Sequence, residues 1–209
     1  MSIVVRRLGL VDYQPAVESM VRFTDQRDEN TADEIWLLQH PPVFTLGLNG
    51  DPAHVLAAGN IPVVKVDRGG QVTYHGPGQL VVYVLMDLRR PRLGVRVLVR
   101  RLEASVVAWL DTLGVEAYGK PAAPGVYVAR PGGEAKIAAL GLKVKNGCTY
   151  HGLAVNVAMD LAPFADIDPC GFPGLAVTQL ADLGVARTVE AAGAELAPIL
   201  ARPLRKDPT

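Results

Sequence analysis

The sequence predicts a single α/β domain over residues 1–209, with a mixed β-sheet flanked by helices (an α+β arrangement). Apolar runs rich in β-branched residues alternate with amphipathic runs of helical period, and Gly and Pro fall between them. The gap between predicted strands at 136–145 and 150–159 is of hairpin length, which favours antiparallel pairing over a doubly wound parallel sheet. Because no repeat or Ser/Pro-rich linker divides the chain, one domain is the simplest interpretation.

Composition excludes several classes of function. Of the 209 residues, 49% are hydrophobic and 20% charged, which is typical of a globular protein. Lys+Arg and Asp+Glu are both 21, so no net charge recruits nucleic acid or a membrane surface. The N-terminus has no signal-peptide pattern, the apolar run 80–86 is too short to span a bilayer, and two cysteines do not make a disulfide framework. These features predict a cytoplasmic protein with reduced thiols.

The elements follow from local pattern. Residues 3–7 predict a strand and 13–27 a helix with one polar face. The run EIWLLQH (34–40) predicts a buried strand that Pro41 and Pro42 end. Further strands are predicted at 62–66, 80–87, 125–129, 136–145 and 150–159, of which 80–87 is apolar enough to be buried on both faces.

Three helices are predicted in the rest of the chain. The clearest covers 95–113, and Gly114 provides its C-terminal stop. Two shorter helices, near 178–183 and 189–201, close the chain. The apolar positions of the long helix keep three-and-four spacing: Val95, Leu98, Val99, Leu102, Val106, Trp109, Leu110 and Leu113.

The segment RGGQVTYHGPGQL (68–80) is the first with unusual chemistry. Its four glycines let the backbone approach another group closely, which is typical of a loop lining a ligand site. It carries neither a phosphate-loop nor a dinucleotide-binding pattern. A tight structural turn capped by a histidine explains the composition equally well.

Lys136 lies in the small, apolar strand segment EAKIAALGLKV (134–144). An ammonium there either reaches solvent along its aliphatic stem or faces a pocket that uses it. Ala138, Ala139 and Gly141 leave space beside the backbone that suits an alkyl chain. The pattern alone does not decide between the two interpretations.

Two histidines, His75 and His151, stand in comparable places before or at the start of strands. No Cys, His or Asp cluster at ligand spacing accompanies them, so the sequence predicts no metal site. Hydrogen bonding by the rings at the edge of a site suits them better.

Cys170 lies between Pro169 and Gly171 in DIDPCGFPG (166–174), a turn and not an apolar strand. Free cysteines are usually buried and inert, but a cysteine on a turn is more exposed and therefore more often reactive. Cys148, in a predicted hairpin, has no such setting. Cys170 is thus the candidate nucleophile, with an inert structural thiol as the alternative.

Taken together, these segments resemble the octanoyltransferases of lipoate biosynthesis, also called lipoyl(octanoyl) transferases. The collinear motifs are QHPPVFTLG (39–47), RGGQVTYHGPGQLVVY (68–83), KIAALG (136–141), YHGLAVNV (150–157) and F-x-x-I-x-P-C-G (164–171). The resemblance implies the fold of biotin and lipoate protein ligases and a catalytic pair, Cys170 and Lys136. It also implies a substrate channel lined by Arg68, Gly69, Gly70, Gln71, Val72, Thr73, Tyr74, His75, Ala139, Leu140, Gly141, His151, Gly152, Leu153 and Ala154.

The resemblance further implies the reaction and its partners. Octanoyl, or lipoyl, would pass from the phosphopantetheine of acyl carrier protein to Cys170, and then to a lysine of a lipoyl domain. The acceptors implied are the lipoyl domains of 2-oxoacid dehydrogenase complexes and the H protein of glycine cleavage. No permanently bound cofactor and no metal is expected.

A basic segment supplies a candidate docking surface for the carrier. Six arginines and no acidic residue occur between positions 89 and 101, and Arg92, Arg96 and Arg100 are spaced by four. A solvated helix face is the ordinary interpretation. Because acyl carrier proteins are acidic, a surface that steers the carrier is the functional one.

Three other functions stay open at the level of sequence. An ATP-dependent lipoate or biotin ligase of the same fold would need no nucleophilic cysteine. A cysteine amidotransferase or hydrolase would end the acyl-enzyme with ammonia or water. A binding protein without activity would keep an acylated Cys170 that never discharges.

Overall fold

The fold is described from a computed structural model, which covers residues 3–171 and 174–204 and, at Cys170, the backbone only. Within these ranges the structure contains two sheets, three α-helices and several short 3-10 turns. The strands are β1 (Val4–Leu10), β2 (Glu34–Gln39), β3 (Val43–Leu46), β4 (Val63–Lys65), β5 (Val72–His75), β6 (Gln79–Leu85), β7 (Tyr118–Gly119), β8 (Val126–Arg130), β9 (Gly133–Lys145) and β10 (Cys148–Asn156). The helices are α1 (Tyr13–Asp25), α2 (Val95–Thr112) and α3 (Val189–Leu204).

The larger sheet has seven strands in the order β1-β2-β6-β10-β9-β8-β7. Only β1 and β2 pair in parallel; the other neighbours are antiparallel. All seven residues of β6 and all nine of β10 are buried. The smaller sheet, β4-β3-β5, is mixed as well. The predicted mixed sheet flanked by helices is therefore confirmed.

Helices α2 and α3 cover one face of the larger sheet, here called the back face. Leu98, Leu102 and Trp109 of α2 are fully buried there, together with Leu196 and Leu200 of α3. Burying one side chain of this size contributes about 1.5–3 kcal/mol to the stability of the folded state. On the opposite, front face, α1 packs Ala16 and Met20 against residues of β2, β6 and β10. The smaller sheet forms its own apolar cluster.

Helix α2 ends as the sequence predicts. Gly114 has a positive φ of 73°, and its N–H donates to the carbonyl of Asp111, while the N–H of Val115 donates to that of Leu110. This is a Schellman motif, which favours glycine because other residues are strained at that φ.

The structure corrects two sequence predictions of helix. Residues 178–183 contain only a single 3-10 turn, Ala181–Leu183, because backbone N–H groups of Thr178 and Leu180 bond to carbonyls of the larger sheet. Arg92 does not belong to the long helix, which begins at Val95. Its φ of 51° places it in the preceding turn, so only Arg96 and Arg100 share a helix face.

Strands β3, β5 and β7 were not expected from the sequence. Strand β5 lies inside the Gly-rich segment, and β3 directly follows two prolines, so the neighbouring turn residues obscure the strand pattern of both.

Within the described ranges, no helix is long and apolar enough to cross a membrane.

Candidate active site

A cavity opens where the front face of the larger sheet meets the segment leading into β5. The empty space measures about 500 Å³, counting the part that is open to solvent. It is walled by β9 and β10 on one side and by residues 68–75 on the other. The predicted channel residues that line it are Arg68, Gly70, Gln71, Val72, Thr73, His75, Ala139, Leu140, Gly141, His151, Gly152, Leu153 and Ala154.

Two predicted channel residues lie elsewhere. The ring of Tyr74 packs between Phe44 and Phe164 in the core of the smaller sheet, because neighbours along a strand point to opposite faces. Gly69 donates its N–H to the carbonyl of Leu142 and does not reach the cavity wall.

Three lining residues were not predicted: Tyr13, Val81 and Tyr83. Tyr13 begins α1, whose sequence indicated only a polar-faced helix. Val81 and Tyr83 alternate on β6, so they share the front face with each other. The sequence does not show which face this is, because every residue of β6 after Gln79 is apolar or aromatic and polarity does not distinguish the two faces.

Small residues create the space on β9 and β10. Gly141 pairs with Gly152, and Ala139 pairs with Ala154, on the two adjacent strands. A Cβ added at Gly152 would lie 2.0 Å from the carbonyl oxygen of Val82 on β6. One at Gly141 would lie 2.8 Å from the carbonyl oxygen of Gly69. These glycines therefore permit both the strand pairing and the approach of residues 68–75.

Two buried histidines are neutral at neutral pH: His75 lines the cavity, and His40 packs behind it against His75 and Tyr83. His75 Nδ1 lies 2.7 Å from Oε1 of Gln79, and His40 Nε2 lies 2.7 Å from the hydroxyl of Tyr83. Burial lowers the pKa of His75 to about 3 and that of His40 to about 4. Burial likewise raises the pKa of Tyr13, which stacks on His75, to about 12.

A third histidine, His151, is held by Asp67. Its Nε2 lies 3.0 Å from Oδ1 of Asp67, whose other oxygen accepts from the hydroxyl of Tyr150. Burial lowers the pKa of His151, against the effect of the carboxylate. Burial would raise the pKa of Asp67, but the hydrogen bonds from Tyr150 and His151 outweigh it and lower that pKa.

Arg68 is buried at the cavity wall and fixes the segment before β5. Its Nη2 donates to the carbonyl and hydroxyl of Thr45, both at 2.8 Å, and to the carbonyl of Gln71 at 2.9 Å. Its charge disfavours protonation of His75 and His151. The guanidinium thus ties the segment before β5 to β3 of the smaller sheet. Burial is the main cause that lowers the pKa of these two histidines, and the charge of Arg68 adds to it.

Lys136 lies in a smaller cavity that adjoins the first. Both cavities are lined by Thr73 and Ala139, and the smaller one also by Pro169. The side chain of Lys136 is buried (4% exposed), so it does not reach solvent, which was one of the two interpretations of the sequence. Its Nζ donates to the carbonyl of Pro124 at 3.3 Å and stands 5.0 Å from the ring centre of Tyr127.

Cys170 lies on the 3-10 turn Pro169–Gly171, and its side chain is outside the described part of the structure. The turn itself is well anchored: the N–H of Gly171 donates to Asp168, and the N–H of Asp168 donates to His54. Gly171 has a φ of 73°, and a Cβ there would lie 3.3 Å from the side chain of Gln71. The turn therefore borders both cavities.

Cys148 has a different setting. It is buried (3% exposed), and its Sγ lies 3.8 Å from Nη2 of Arg89, remote from the lining of both cavities. Burial raises the pKa of its thiol. A thiol with a raised pKa is a poor nucleophile at neutral pH.

Over the described ranges, no group of three His, Cys, Asp or Glu side chains is placed to hold a metal ion.

The arginines predicted to dock the carrier lie only partly together. Arg96 and Arg100 line a surface groove with Lys120, whereas Arg92 is exposed in the turn before α2. The other three arginines of segment 89–101 have partners. Arg89 and Arg90 form ion pairs with Asp87, and Arg101 donates a hydrogen bond to the carbonyl of Pro203.

Comparison with known proteins identifies several relatives. The family model of the lipoyl protein ligase A/B catalytic domain matches residues 12–198. An octanoyltransferase of Thiobacillus denitrificans is 60% identical over 189 residues, which cover 90% of this chain and 85% of the relative. One of Chromobacterium violaceum is 54% identical over 201 residues, covering 96% and 95%.

Among solved structures, the chain is similar to the bipartite lipoate protein ligase of Thermoplasma acidophilum. The TM-score is 0.77 at 17% identity, over 99% of this chain and 87% of the other. At this identity the likeness concerns the fold, and it agrees with the ligase-like architecture expected from the motifs.

Proposed function

The chain belongs to the lipoyl protein ligase A/B catalytic-domain family and, within it, to the octanoyltransferases, and from this we propose its donor, intermediate and acceptor. Octanoyl is taken from the phosphopantetheine thioester of acyl carrier protein, held as a thioester on Cys170, and passed to a lysine of a lipoyl domain. The observation that carries the proposal is the buried Lys136 in a cavity that it shares with Pro169, the residue before Cys170.

In the first half-reaction the thiolate of Cys170 attacks the carrier thioester. An ordinary thiol, with a pKa near ~8.5, is only a few per cent thiolate at neutral pH. An ammonium ~4 Å away would stabilise the thiolate by about 4 kcal/mol at an effective dielectric constant of ~20. Lys136 gives its proton to the departing pantetheine sulfur. One thioester replaces another, so this step is close to balanced.

In the second half-reaction the acceptor lysine attacks the Cys170 thioester. The acceptor arrives as an ammonium, and its first proton is lost to solvent. Neutral Lys136 takes the second proton as the amide forms, and Cys170 leaves as a thiolate. The starting charges of the pair are restored, and the change from thioester to amide drives the reaction forward.

Burial of the acyl chain gives the preference for a medium chain. Each methylene removed from water contributes about 0.8 kcal/mol, so six or seven contribute roughly 5 kcal/mol. The small residues Ala139, Gly141 and Gly152 supply the space beside the sheet. The neutral state of His75, whose pKa burial lowers to about 3, supports the same assignment, since a charged ring would oppose the entry of an alkyl chain.

The partners proposed are acyl carrier protein and lipoyl domains, including those of 2-oxoacid dehydrogenase complexes and the glycine cleavage H protein, in the cytoplasm. For the acidic carrier, the groove lined by Arg96, Arg100 and Lys120 is the docking surface. This replaces the stripe of three arginines expected from the sequence, because Arg92 lies outside the helix.

The test is intact-protein mass after mixing with octanoyl acyl carrier protein, for wild type, Cys170→Ala and Cys148→Ala. An octanoyl adduct on wild type and Cys148→Ala, absent from Cys170→Ala and discharged to an added lipoyl domain, is the expected result. Lys136→Ala should slow both half-reactions by on the order of 100-fold or more.

Other results would assign the rival functions. An absolute requirement for ATP and free acid, with no adduct, would mean an adenylating ligase. Release of free octanoate without acceptor would mean a hydrolase, and an adduct that never discharges would mean a binding protein.

A further inference from the structure

Glu103 is a buried carboxylate on the back-face helix α2, next to the position of Lys136. It is 8% exposed and lines the same surface groove as Arg96 and Arg100. Its Oε1 accepts a hydrogen bond of 2.8 Å from the N–H of Gly125, the residue before β8. A buried carboxylate without such partners would be costly, so its position is specific.

Gly125 joins this carboxylate to Lys136. A Cβ at Gly125 would lie 2.9 Å from Cε and 3.1 Å from Nζ of Lys136, and the adjacent carbonyl of Pro124 accepts from that Nζ. The segment 124–125 is thus held between Glu103, through an N–H, and Lys136, through a carbonyl. Only glycine, here at a φ of 148°, leaves room for the ammonium.

Several other charged or titratable groups face this pair. The ring centre of Tyr127 is close to two ammonium groups, that of Lys136 at 5.0 Å and that of Lys120 at 4.9 Å. Glu134 pairs with Lys120 and accepts from Tyr118, near the surface. Arg100 is near Glu103 on the groove side. On the active-site side stands the turn that carries Cys170.

Glu103 is the most buried carboxylate of this set. Burial raises the pKa of Glu103, while the hydrogen bond from Gly125 and the charges of Lys136 and Arg100 act against that rise. Since buried charges are screened less than exposed ones, Glu103 should act on Lys136 more strongly than Glu134 does.

We propose that Glu103 is a positioning residue of the transfer reaction, which holds Lys136 in place and in its ammonium form by way of the segment Pro124–Gly125. The inference rests on the proposed transfer through Cys170 and Lys136. Glu103 touches neither substrate nor the reacting atoms; it acts through Lys136. Removing its charge should make the ammonium easier to deprotonate, and the first half-reaction needs that ammonium.

The experiment measures the rate of octanoyl adduct formation from octanoyl acyl carrier protein against pH, in single turnovers, for wild type and Glu103→Gln. Glutamine keeps an acceptor for Gly125 and removes the charge. At high pH the rate of adduct formation should fall as Lys136 loses its proton, which gives the pH–rate profile an alkaline limb. In Glu103→Gln this limb should lie at least about 0.5 pH unit lower than in wild type. A merely structural role would lower the rate at every pH and leave the limb in place.

Glu134→Gln is the matched control, because it removes an equal charge near the surface and should shift the limb by less than half as much. If Glu103→Gln does not fold, Glu103→Asp can replace it. The side chain of aspartate is one methylene shorter, so its charge lies farther from Gly125, and the alkaline limb should shift in the same direction. An unmoved limb in the folded variant, or an equal shift in Glu134→Gln, overturns the proposal. Absence of adduct in wild type would instead refute the proposed function.

Discussion

His151 holds a left-handed backbone conformation, with φ 59°, inside the buried strand β10. Residues other than glycine rarely adopt this conformation, and it costs roughly 1–3 kcal/mol. The ring is tied to Asp67 on one side and lines the cavity on the other. The strained backbone therefore accompanies a fixed orientation of the ring at the acyl cavity.

Substitutions at His151 should rank by their tolerance of positive φ. Asparagine enters the left-handed region readily, whereas valine is strongly disfavoured there. We expect His151→Val to be less stable than His151→Asn by about 1–2 kcal/mol, measured by urea unfolding. Equal stability of the two variants would show that the backbone is not constrained at this position.

Single residues also show how far sequence reasoning reaches into the site. The structure brings most of the motif residues together at one cavity, because each motif is a contiguous segment at a strand or its edge. Tyr74 does not line this cavity, because its neighbours along β5 face the cavity and its own ring points to the opposite side of the strand. Glu103 is not predicted at all: on an amphipathic helix it resembles any solvated polar position, and only the fold brings it to Gly125.

At the scale of elements, the pairing of β6 with β10 depends on a glycine. Gly152 pairs with Tyr83 across these strands, with no room for a side chain. Gly152→Ala would place its methyl group 2.0 Å from the Val82 carbonyl, so the strands must separate. We expect a loss of about 2–3 kcal/mol in the free energy of unfolding, measured by denaturant titration.

Gly94→Ala serves as the comparison for that change. Gly94 caps the start of α2, and an added Cβ there meets nothing within 4 Å. Its replacement should cost under about 1 kcal/mol, the ordinary cost of a weaker N-cap. Similar losses for both variants would mean that the added methyl group at Gly152 is accommodated.

Elements with a strong period were predicted well, and those built around turn residues were not. Helix α2 and strand β6 were placed to within two residues because their apolar patterns are long and unbroken. Strand β5 was missed because Gly69, Gly70 and Gly76 surround it, and its pairing with β3 is a contact between distant segments. Such pairing follows from the tertiary fold, which local propensity does not encode.

At the scale of the whole molecule, the neutral histidines set the response to acid. His40 and His75 have pKa values near 4 and 3 when folded, well below the ordinary 6.5. The unfolded chain therefore binds more protons below pH ~6.5, and stability falls as the pH drops from there toward the folded pKa values. Each histidine contributes about 1 kcal/mol per pH unit between pH ~6 and ~5.

His75→Gln should show a shallower acid dependence than wild type. The expected difference in slope is about 1 kcal/mol per pH unit, measured by urea unfolding between pH ~5 and ~6.5. Parallel curves for the two proteins would mean that His75 takes up its proton equally in the folded and unfolded chain.

The charge distribution predicts how the carrier is recruited. The chain has no net charge, so steering depends on the local groove of Arg96, Arg100 and Lys120. Arg96→Glu with Arg100→Glu should lower kcat/KM for octanoyl acyl carrier protein by on the order of 10-fold or more and weaken its dependence on salt. Adduct formation from a small thioester donor should be unaffected.

Arg7→Glu with Arg22→Glu makes the same change in total charge on exposed residues of β1 and α1. We expect kcat/KM of this variant for octanoyl acyl carrier protein to depend on salt as it does in wild type. If both double variants behaved alike, total charge and not the groove would govern the encounter.

The cavity wall has a consequence for biosynthesis of the protein. It is assembled from α1, the segment before β5, and the pair β9–β10, which lie far apart along the chain. During synthesis from the N-terminus, β6 has no partner on one edge until β10 emerges some seventy residues later. A nascent chain therefore lacks one wall of the acyl cavity until β9 and β10 emerge, and it cannot enclose an acyl chain before then.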